Sequence, residues 1–443
     1  MIKIYIEKLG CAKNNLDAEL IESVLVDKKF KIVNNPLKSD VIIINTCTFI
    51  ESAKKESIDV ILEFVKLKMQ KPQLKIIVSG CLSQRYSDEL IKEIPELDGI
   101  IGVYGYEKIY SIIEQVFKGK TNVSDVNSNP RVIYDSNIKR ITKTRYTAEL
   151  KIADGCNNRC SYCVIPDVRG DYQSKRFEKC VEEAYELAQQ GVKEIILIAQ
   201  EITKYGVDLY SRYRLTELIE SISEINGIEW IRLMYLSIND VDEKFLNFMK
   251  NNKKLLHYVD IPVQNVNSEI LKKMNRQGSY DEITEKINEM RETIPDICIR
   301  STLITGFPGE TEEIFRENLK WVKTIKIDRL GVFKYSHEEN TPAYELDGQI
   351  EEEIKDMRVE KLMLAQMEVS REINQKFIEN EMNVLVEGFE NNVYVGRTYR
   401  DAPEIDGYVF IENIKPENNI KIGDIIKVKI TSSGDYDLYG ELA

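Results

Sequence analysis

Histidine is almost missing from this chain: two residues, His257 and His337, in 443. So small a supply excludes histidine-rich metal sites and leaves little room for histidine-dependent hydrolysis. Apolar runs of eighteen residues are missing too, so no transmembrane helix and no membrane partner are expected. Met1 to Glu7 leads straight into a strand pattern and lacks the features of a signal peptide, which points to a cytoplasmic protein. Positive charge is in deficit, with 61 Lys and Arg against 74 Asp and Glu and a formal net charge of −13. Nonspecific nucleic-acid binding depends on Lys and Arg neutralising phosphates, so direct RNA binding is not expected. A basic protein partner or a local basic patch is compatible with this balance. The remaining profile, 43% hydrophobic and 30% charged, is that of a soluble globular protein with room for two to four domains.

Cysteine, by contrast, is present in a pattern. Six of the eight fall into two sets of three. Cys156, Cys160 and Cys163 form a compact C-x3-C-x2-C loop. Cys11, Cys47 and Cys81 are dispersed, and each follows an apolar run: Ile2 to Ile6, Val41 to Ile44 and Ile76 to Val78. Such runs read as buried strands, and a repeat of this length is one strand-plus-helix unit, which makes successive strands parallel. Parallel strands place their carboxyl ends on one edge, where open α/β sheets hold ligands. Three thiols distant in sequence should therefore meet. Ordinary buried cysteines are the alternative. A zinc knuckle or a disulfide is the alternative for the compact loop, but zinc needs a fourth Cys or His and the loop contains none. In a reducing compartment, clustered thiols bind metal or do chemistry. Two three-thiolate sites imply two four-iron four-sulfur (4Fe-4S) clusters, each with one iron open to another ligand. Cys180 and Cys298 match no cluster pattern and read as core.

The expected class is α/β throughout the first two regions. Residues 1–125 alternate short strands with helical stretches such as Asp17 to Lys28 and Ser52 to Lys68. Residues 121–140 are polar and turn-rich, a linker pattern. Residues 140–375 carry six candidate strands: Ala148 to Ile152, Glu194 to Ile198, Trp230 to Tyr235, Tyr258 to Ile261, Cys298 to Ile304 and Leu330 to Tyr335. Six strand–helix units in series predict an open (β/α)6, TIM-like barrel with its chemistry at the strands' carboxyl ends. Ile350 to Glu379 reads as one long helix. Residues 376–443 switch to an alternating pattern punctuated by Gly388, Gly407, Gly423 and Gly434, which predicts a small antiparallel β-barrel.

The compact loop resembles the signature of the radical S-adenosylmethionine (SAM) superfamily. The resemblance implies that SAM binds the open iron and is cleaved to a 5′-deoxyadenosyl radical, with Tyr162 offering an aromatic face nearby. Leu9-Gly10-Cys11-Ala12-Lys13-Asn14, Asn45-Thr46-Cys47 and Ser79-Gly80-Cys81 resemble the amino-terminal domain of the methylthiotransferases, where a second 4Fe-4S cluster handles the inserted sulfur. The resemblance also places Gly306-Phe307-Pro308-Gly309-Glu310-Thr311 at the mouth of the SAM pocket. That makes Gly306 and Gly309 cofactor-binding candidates. Arg300, just upstream, is a candidate partner for the SAM carboxylate, with a structural ion pair as the alternative. Gln200, Glu201 and the Asp260 to Asn265 segment are plausible substrate or SAM contacts. Asn265 stands where relatives usually carry histidine.

Two branches of that family differ in substrate: an adenosine of transfer RNA, or an aspartate of a small-subunit ribosomal protein. Gly396-Arg397-Thr398-Tyr399-Arg400-Asp401-Ala402-Pro403-Glu404-Ile405-Asp406-Gly407 resembles the tail of the RimO-type ribosomal-protein aspartate methylthiotransferases, as do Asp154 to Cys160 and Glu338 to Ala343. The resemblance implies that the tail, a TRAM domain, docks a basic ribosomal protein rather than RNA. It also implies a reductant such as flavodoxin or ferredoxin. Consistently, residues 376–443 hold 7 Lys and Arg against 13 Asp and Glu.

Overall fold

The computed structural model describes residues 1–28, 30–127, 138–142, 146–413 and 419–443. Half of the expected linker, residues 128–137, lies outside the described residues. The amino-terminal sheet has six parallel strands: β1 (Lys3–Lys8), β2 (Lys31–Ile32), β3 (Val41–Thr46), β4 (Lys75–Gly80), β5 (Gly99–Ile101) and β6 (Val123–Asp125). Their order is β2-β1-β3-β4-β5-β6. β3 reads Val-Ile-Ile-Ile-Asn-Thr and is buried along its whole length, as a parallel strand covered on both faces must be. β6 falls inside the expected linker. It is three residues long, too short to carry a period, and it is recruited by pairing with β5.

The central sheet is also parallel and open. β7 (Thr147–Lys151) is followed by a two-stranded ribbon, β8 (Ala153–Asp154) with β9 (Gln173–Ser174). Then come β10 (Glu194–Ile198), β11 (Trp230–Leu233), β12 (Leu255–Asp260), β13 (Cys298–Thr305) and β14 (Arg329–Lys334), ordered β14-β13-β12-β11-β10-β7. One face, with Ile195, Leu197, Ile231, Leu233, Val259 and Ile299, packs against the helices. The other is concave. There Ile196, Ile198, Met234 and Tyr258 meet Leu16 of the first helix (Ala12–Asp27) and Leu385 and Ala402 of the tail. All three regions therefore converge on the inner face of the open barrel.

The tail closes into a barrel, β15 (Glu381–Glu390), β16 (Val393–Arg397), β17 (Val409–Glu412), β18 (Ile425–Ser433) and β19 (Leu438–Leu442), ordered β15-β16-β17-β19-β18. Four of its pairings are antiparallel; β17 with β19 is parallel. The helix before it runs Glu352–Gln375, a few residues shorter at each end than the composition suggested. Cys180 and Cys298 are wholly buried, as expected of core positions. No helix among the described residues is long and apolar enough to cross a membrane.

Candidate active site between two parallel sheets

The dispersed cysteines lie at one edge of the amino-terminal sheet, where the strand arithmetic puts them. β1, β3 and β4 are neighbours, and Cys47 and Cys81 directly follow β3 and β4, while Cys11 follows β1. Gly10 holds φ +92°, and a Cβ there would lie 2.7 Å from Cys47 Cβ and 3.0 Å from its sulfur. Only glycine lets the Cys11 turn approach Cys47 so closely. Asn14, buried on the first helix, donates to the carbonyls of Leu9 (3.1 Å) and Thr46 (2.9 Å), tying the turns together.

The compact loop hangs from the β8–β9 ribbon, beyond the carboxyl end of β7. Its backbone is pinned by Cys156 N–H to Gly170 O (3.1 Å), Ser161 N–H to Met274 O (3.0 Å) and Cys163 N–H to Cys160 O (3.0 Å). Gly155, at φ +75°, passes so near Asp171 that a Cβ would sit 2.2 Å from its carbonyl.

The two sets lie close together. Cys81 shares an apolar cluster with Val103, Val164 and Val168, and Val164 directly follows Cys163. Beside that wall sits a charge network that sequence reasoning missed. Arg169 donates to Asp154 (2.7 Å) in the barrel and to Asp17 (2.8 Å), Asn14 (3.0 Å) and Cys81 Sγ (3.6 Å) in the amino-terminal region. Lys151 donates to Asp17 and Asp154. All four charged groups are buried. Arg276 does a similar service for the compact loop, with N–H groups directed to Cys160 Sγ (3.8 Å) and Pro262 O (2.7 Å). Arg169 lies six positions past Cys163, and that nearness was its one sequence signal; Arg276 had none. Lys13, after Cys11, stands 3.6 Å over the Tyr235 ring.

Burial pushes the Cys81 and Cys163 thiols up to about 12 and raises Cys47 and Cys156. Unaided, these thiolates are disfavoured; a cationic iron core supplies the missing compensation. The donor chemistry fits 4Fe-4S clusters: three soft sulfurs per set, with buried Arg169 at Cys81 and partly buried Arg276 at Cys160. Among the described residues, no three His, Cys, Asp or Glu side chains are grouped so as to hold a metal ion. Four-iron ligands stand apart because an inorganic core separates them.

Of the expected SAM contacts, Tyr162 packs with Phe307, Tyr335, Met274 and Ala343, which joins it to the Gly306–Gly309 loop. Gly306 and Gly309 have φ +74° and +83°, and Cβ atoms there would strike Lys355 (2.4 Å) and Lys273 (2.3 Å). Arg300 sits deeper on the concave face, between Asp260 (3.2 Å) and Asp406 of the tail (3.4 Å). Gln200 donates to Asp154 (2.6 Å), and Glu201 accepts from Asn158 and Thr203, so both support the cysteine loop. Asn265 is buried, accepts from Asn267 N–H (3.0 Å) and Asn318 (3.2 Å), and donates to Ile304 O (3.5 Å). The buried side-chain carbonyls of Gln200 and Gln264 have no protein partner. Such unpaired acceptors beyond β10 and β12 fit a ligand carrying an ammonium or sulfonium group.

A cavity of about 620 Å³ lies elsewhere, at the amino ends of β10 and β11, lined by Lys193, Glu229 and Trp230 with Asn383, Asp424 and Ile425 of the tail. It is remote from every cysteine of the two sets.

Comparison with known proteins agrees with this architecture. Residues 3–102 match the Uncharacterized protein family UPF0004, residues 150–322 the Radical SAM superfamily and residues 378–443 the TRAM domain. Ribosomal protein uS12 methylthiotransferase RimO of Thermoanaerobacter sp. (strain X514) is 46% identical over 443 residues, all of both chains. RimO of Clostridioides difficile (strain 630) is 44% identical over 443 residues, 100% of this chain and 99% of the relative. The chain belongs to the RimO family. Among solved structures, the radical SAM methyltransferase TsrM from Kitasatospora setae aligns with TM-score 0.55 and 15% identity, covering 75% of this chain and 73% of TsrM. The cobalamin-dependent SAM radical enzyme OxsB aligns with TM-score 0.55 and 14% identity, covering 82% of this chain and 56% of OxsB. The RimO-family chain shares their fold.

Proposed function

We propose that this RimO-family protein is a radical SAM methylthiotransferase acting on ribosomal protein uS12, adding sulfur and a methyl group at the β-carbon of an aspartate. One observation carries the reading: Arg169, six residues past the compact cysteine loop, reaches Cys81 Sγ of the dispersed set and Asp154 of the barrel in a chain of this family. Cys156, Cys160 and Cys163 would hold one 4Fe-4S cluster, and Cys11, Cys47 and Cys81 the other. When bound, the clusters and SAM supply the radical, sulfur and methyl-transfer chemistry. An aspartate β-carbon offers no acidic proton at neutral pH and no leaving group, so side-chain acid–base catalysis has little to act on.

The chain's own residues bind, orient and exclude water. In this reading Tyr162 and the Gly306–Gly309 loop wall the SAM site, and Gln200 and Gln264 supply acceptors. Arg300 would reach the SAM carboxylate by exchanging its 3.4 Å contact with Asp406. The tail suits a basic protein: its two arginines, Arg397 and Arg400, are both buried against the barrel, so lysines are its remaining cations. That arrangement weighs against RNA gripping. The domains proposed are 1–125, 140–375 and 376–443, in a cytoplasmic enzyme served by a flavodoxin- or ferredoxin-like reductant.

The test is anaerobic incubation of the reconstituted enzyme with SAM, sulfide and reductant, using uS12 and transfer RNA as parallel substrates. Mass spectrometry should show a methylthio group on one uS12 aspartate. A methylthio group on transfer-RNA adenosine instead would move the chain to the other branch.

A further inference from the structure

We propose that Lys13 receives the carboxylate of the aspartate to be modified, and so selects an acidic protein side chain over a nucleobase. The inference deepens the proposed function and rests on it.

The β-carbon that reacts is bonded directly to the aspartate's carboxyl carbon. In the proposed reaction that carbon must be reached from both cysteine sites, so its carboxylate lies between them as well. Taking a carboxylate out of water is unfavourable unless a cation meets it. Several cations near the two sites are already committed. Arg169 and Lys151 face Asp17 and Asp154. Arg300 lies between Asp260 and Asp406. Arg276 directs its N–H groups to Cys160 Sγ and the Pro262 carbonyl.

Lys13 differs. It follows Cys11 by two residues, in the first turn of the first helix, and its charge acts on Cys163 of the compact loop. It thus belongs to one site in sequence and reaches toward the other in space. Its ammonium lies 3.6 Å from the centroid of the Tyr235 ring. Among the described residues that ammonium forms no ion pair with a carboxylate. A ring face attracts a cation through its quadrupole but carries no net charge, so the positive charge stays available to an incoming anion.

Tyr235 is held for this task. It follows β11 at the carboxyl ends of the barrel strands, with its backbone at φ +66°, uncommon for a bulky residue. Its N–H donates to the Asp260 carboxylate (3.4 Å), and its carbonyl accepts from Ile202 N–H (3.0 Å). Strain that the surroundings enforce in this way concentrates at ligand-binding positions. Lys13 comes from the amino-terminal region and Tyr235 from the barrel, so the cation is placed only where the two meet. A nucleobase brings no carboxylate and would leave the lysine unmatched, which is discrimination by an unpaired charge.

The test uses the reconstituted holoenzyme with uS12 and with uS12 whose target aspartate is replaced by asparagine. Binding is read by fluorescence anisotropy of labelled uS12, and methylthio product by mass spectrometry. The unaltered enzyme should favour the aspartate form about tenfold or more, as a hydrogen bond to a charged group allows. Lys13→Gln should erase that preference in binding and lower methylthio formation by a similar factor. It should still bind SAM and release 5′-deoxyadenosine, with iron content unchanged. Lys13→Arg should restore most of the preference. An unaltered aspartate preference in Lys13→Gln with its iron intact would overturn the proposal. Weakened SAM binding in Lys13→Gln would overturn it too, by assigning Lys13 to the SAM carboxylate. So would a loss of iron that Lys13→Arg fails to restore, since Lys13 would then be a support of the Cys11 site. Absence of any methylthio product on uS12 from the unaltered enzyme would instead strike the proposed function itself.

Discussion

The loop Cys156 to Cys163 and the trio Cys11, Cys47 and Cys81 gather three sulfurs each by opposite means. The loop needs only eight consecutive residues and a ribbon to hang from, so its closure costs little chain entropy. The trio needs three strands paired in register, two intervening helices and a left-handed glycine before the first thiol. A site built locally survives damage elsewhere; a site built by topology reports on the whole sheet. The contrast extends to electrostatics, since the trio's arginine is tied across a domain boundary and the loop's is not.

The sharpest break of that comparison removes one sulfur from each side. Cys160→Ala should abolish SAM cleavage, read as loss of 5′-deoxyadenosine. Cys47→Ala should keep cleavage yet yield no methylthio product. Full product from Cys47→Ala would remove the second site from the reaction. Next in size is the boundary network. Asp154→Ala leaves Arg169 and Lys151 with one buried carboxylate between them, and should cost about 3–5 kcal/mol in urea unfolding. Replacing Asp171, an exposed partner of Arg159, serves as the control and should cost well under about 1 kcal/mol.

A third prediction concerns acid. Burial raises the Glu194 carboxyl, but Arg397 and Arg232 outweigh it and hold Glu194 at about 2, below its ordinary 4.5. Because the folded value is depressed, the stabilisation is fully present above pH 4.5 and is lost as pH falls through about 2. Its size is on the order of 3 kcal/mol. The unfolding midpoint should therefore drop across that window, and Glu194→Gln should flatten the drop. Apart from the Asp171 control, the smallest effect expected is that of Gly10→Ala. Strain at positive φ should cost about 1–3 kcal/mol and release iron from the trio while the loop keeps its own. Equal loss from both sites would erase the distinction between local and topological assembly.

Much of this layout was legible in the residues. The start of the helix Glu312–Ile325 is written in its residues, because the Thr311 side chain accepts from Ile314 N–H and two acidic residues open its first turn. Strands such as Val41–Thr46 were legible because burial on both faces demands continuous β-branched residues. β5 and β6 were not: at three residues each they exist by pairing with neighbours. The β17–β19 pairing is parallel because the closing strand returns from the far side of the barrel, and no alternation pattern records strand direction. The site divided in the same way. Cysteine spacing pointed to both sets, and Tyr162 does pack with the Gly306–Gly309 loop through Phe307. Arg300, for which the sequence left a SAM contact and a structural ion pair open, bridges two domains in this structure, because its strand turns it inward where the tail presents Asp406.

What the chain alone determined was which atoms are available: six thiols in two spacings, too little histidine to compete with them, and apolar periods that force two parallel sheets. Only the tertiary structure decided how charge is distributed around those thiols. Arg169, Arg276, Lys151 and Asp17 look like ordinary surface residues in a linear reading. Their positions and pairings arise when the amino-terminal helix seats against the concave face of the barrel and water leaves. Electrostatic energy depends on separation and burial in space, and neither quantity is written in the order of residues.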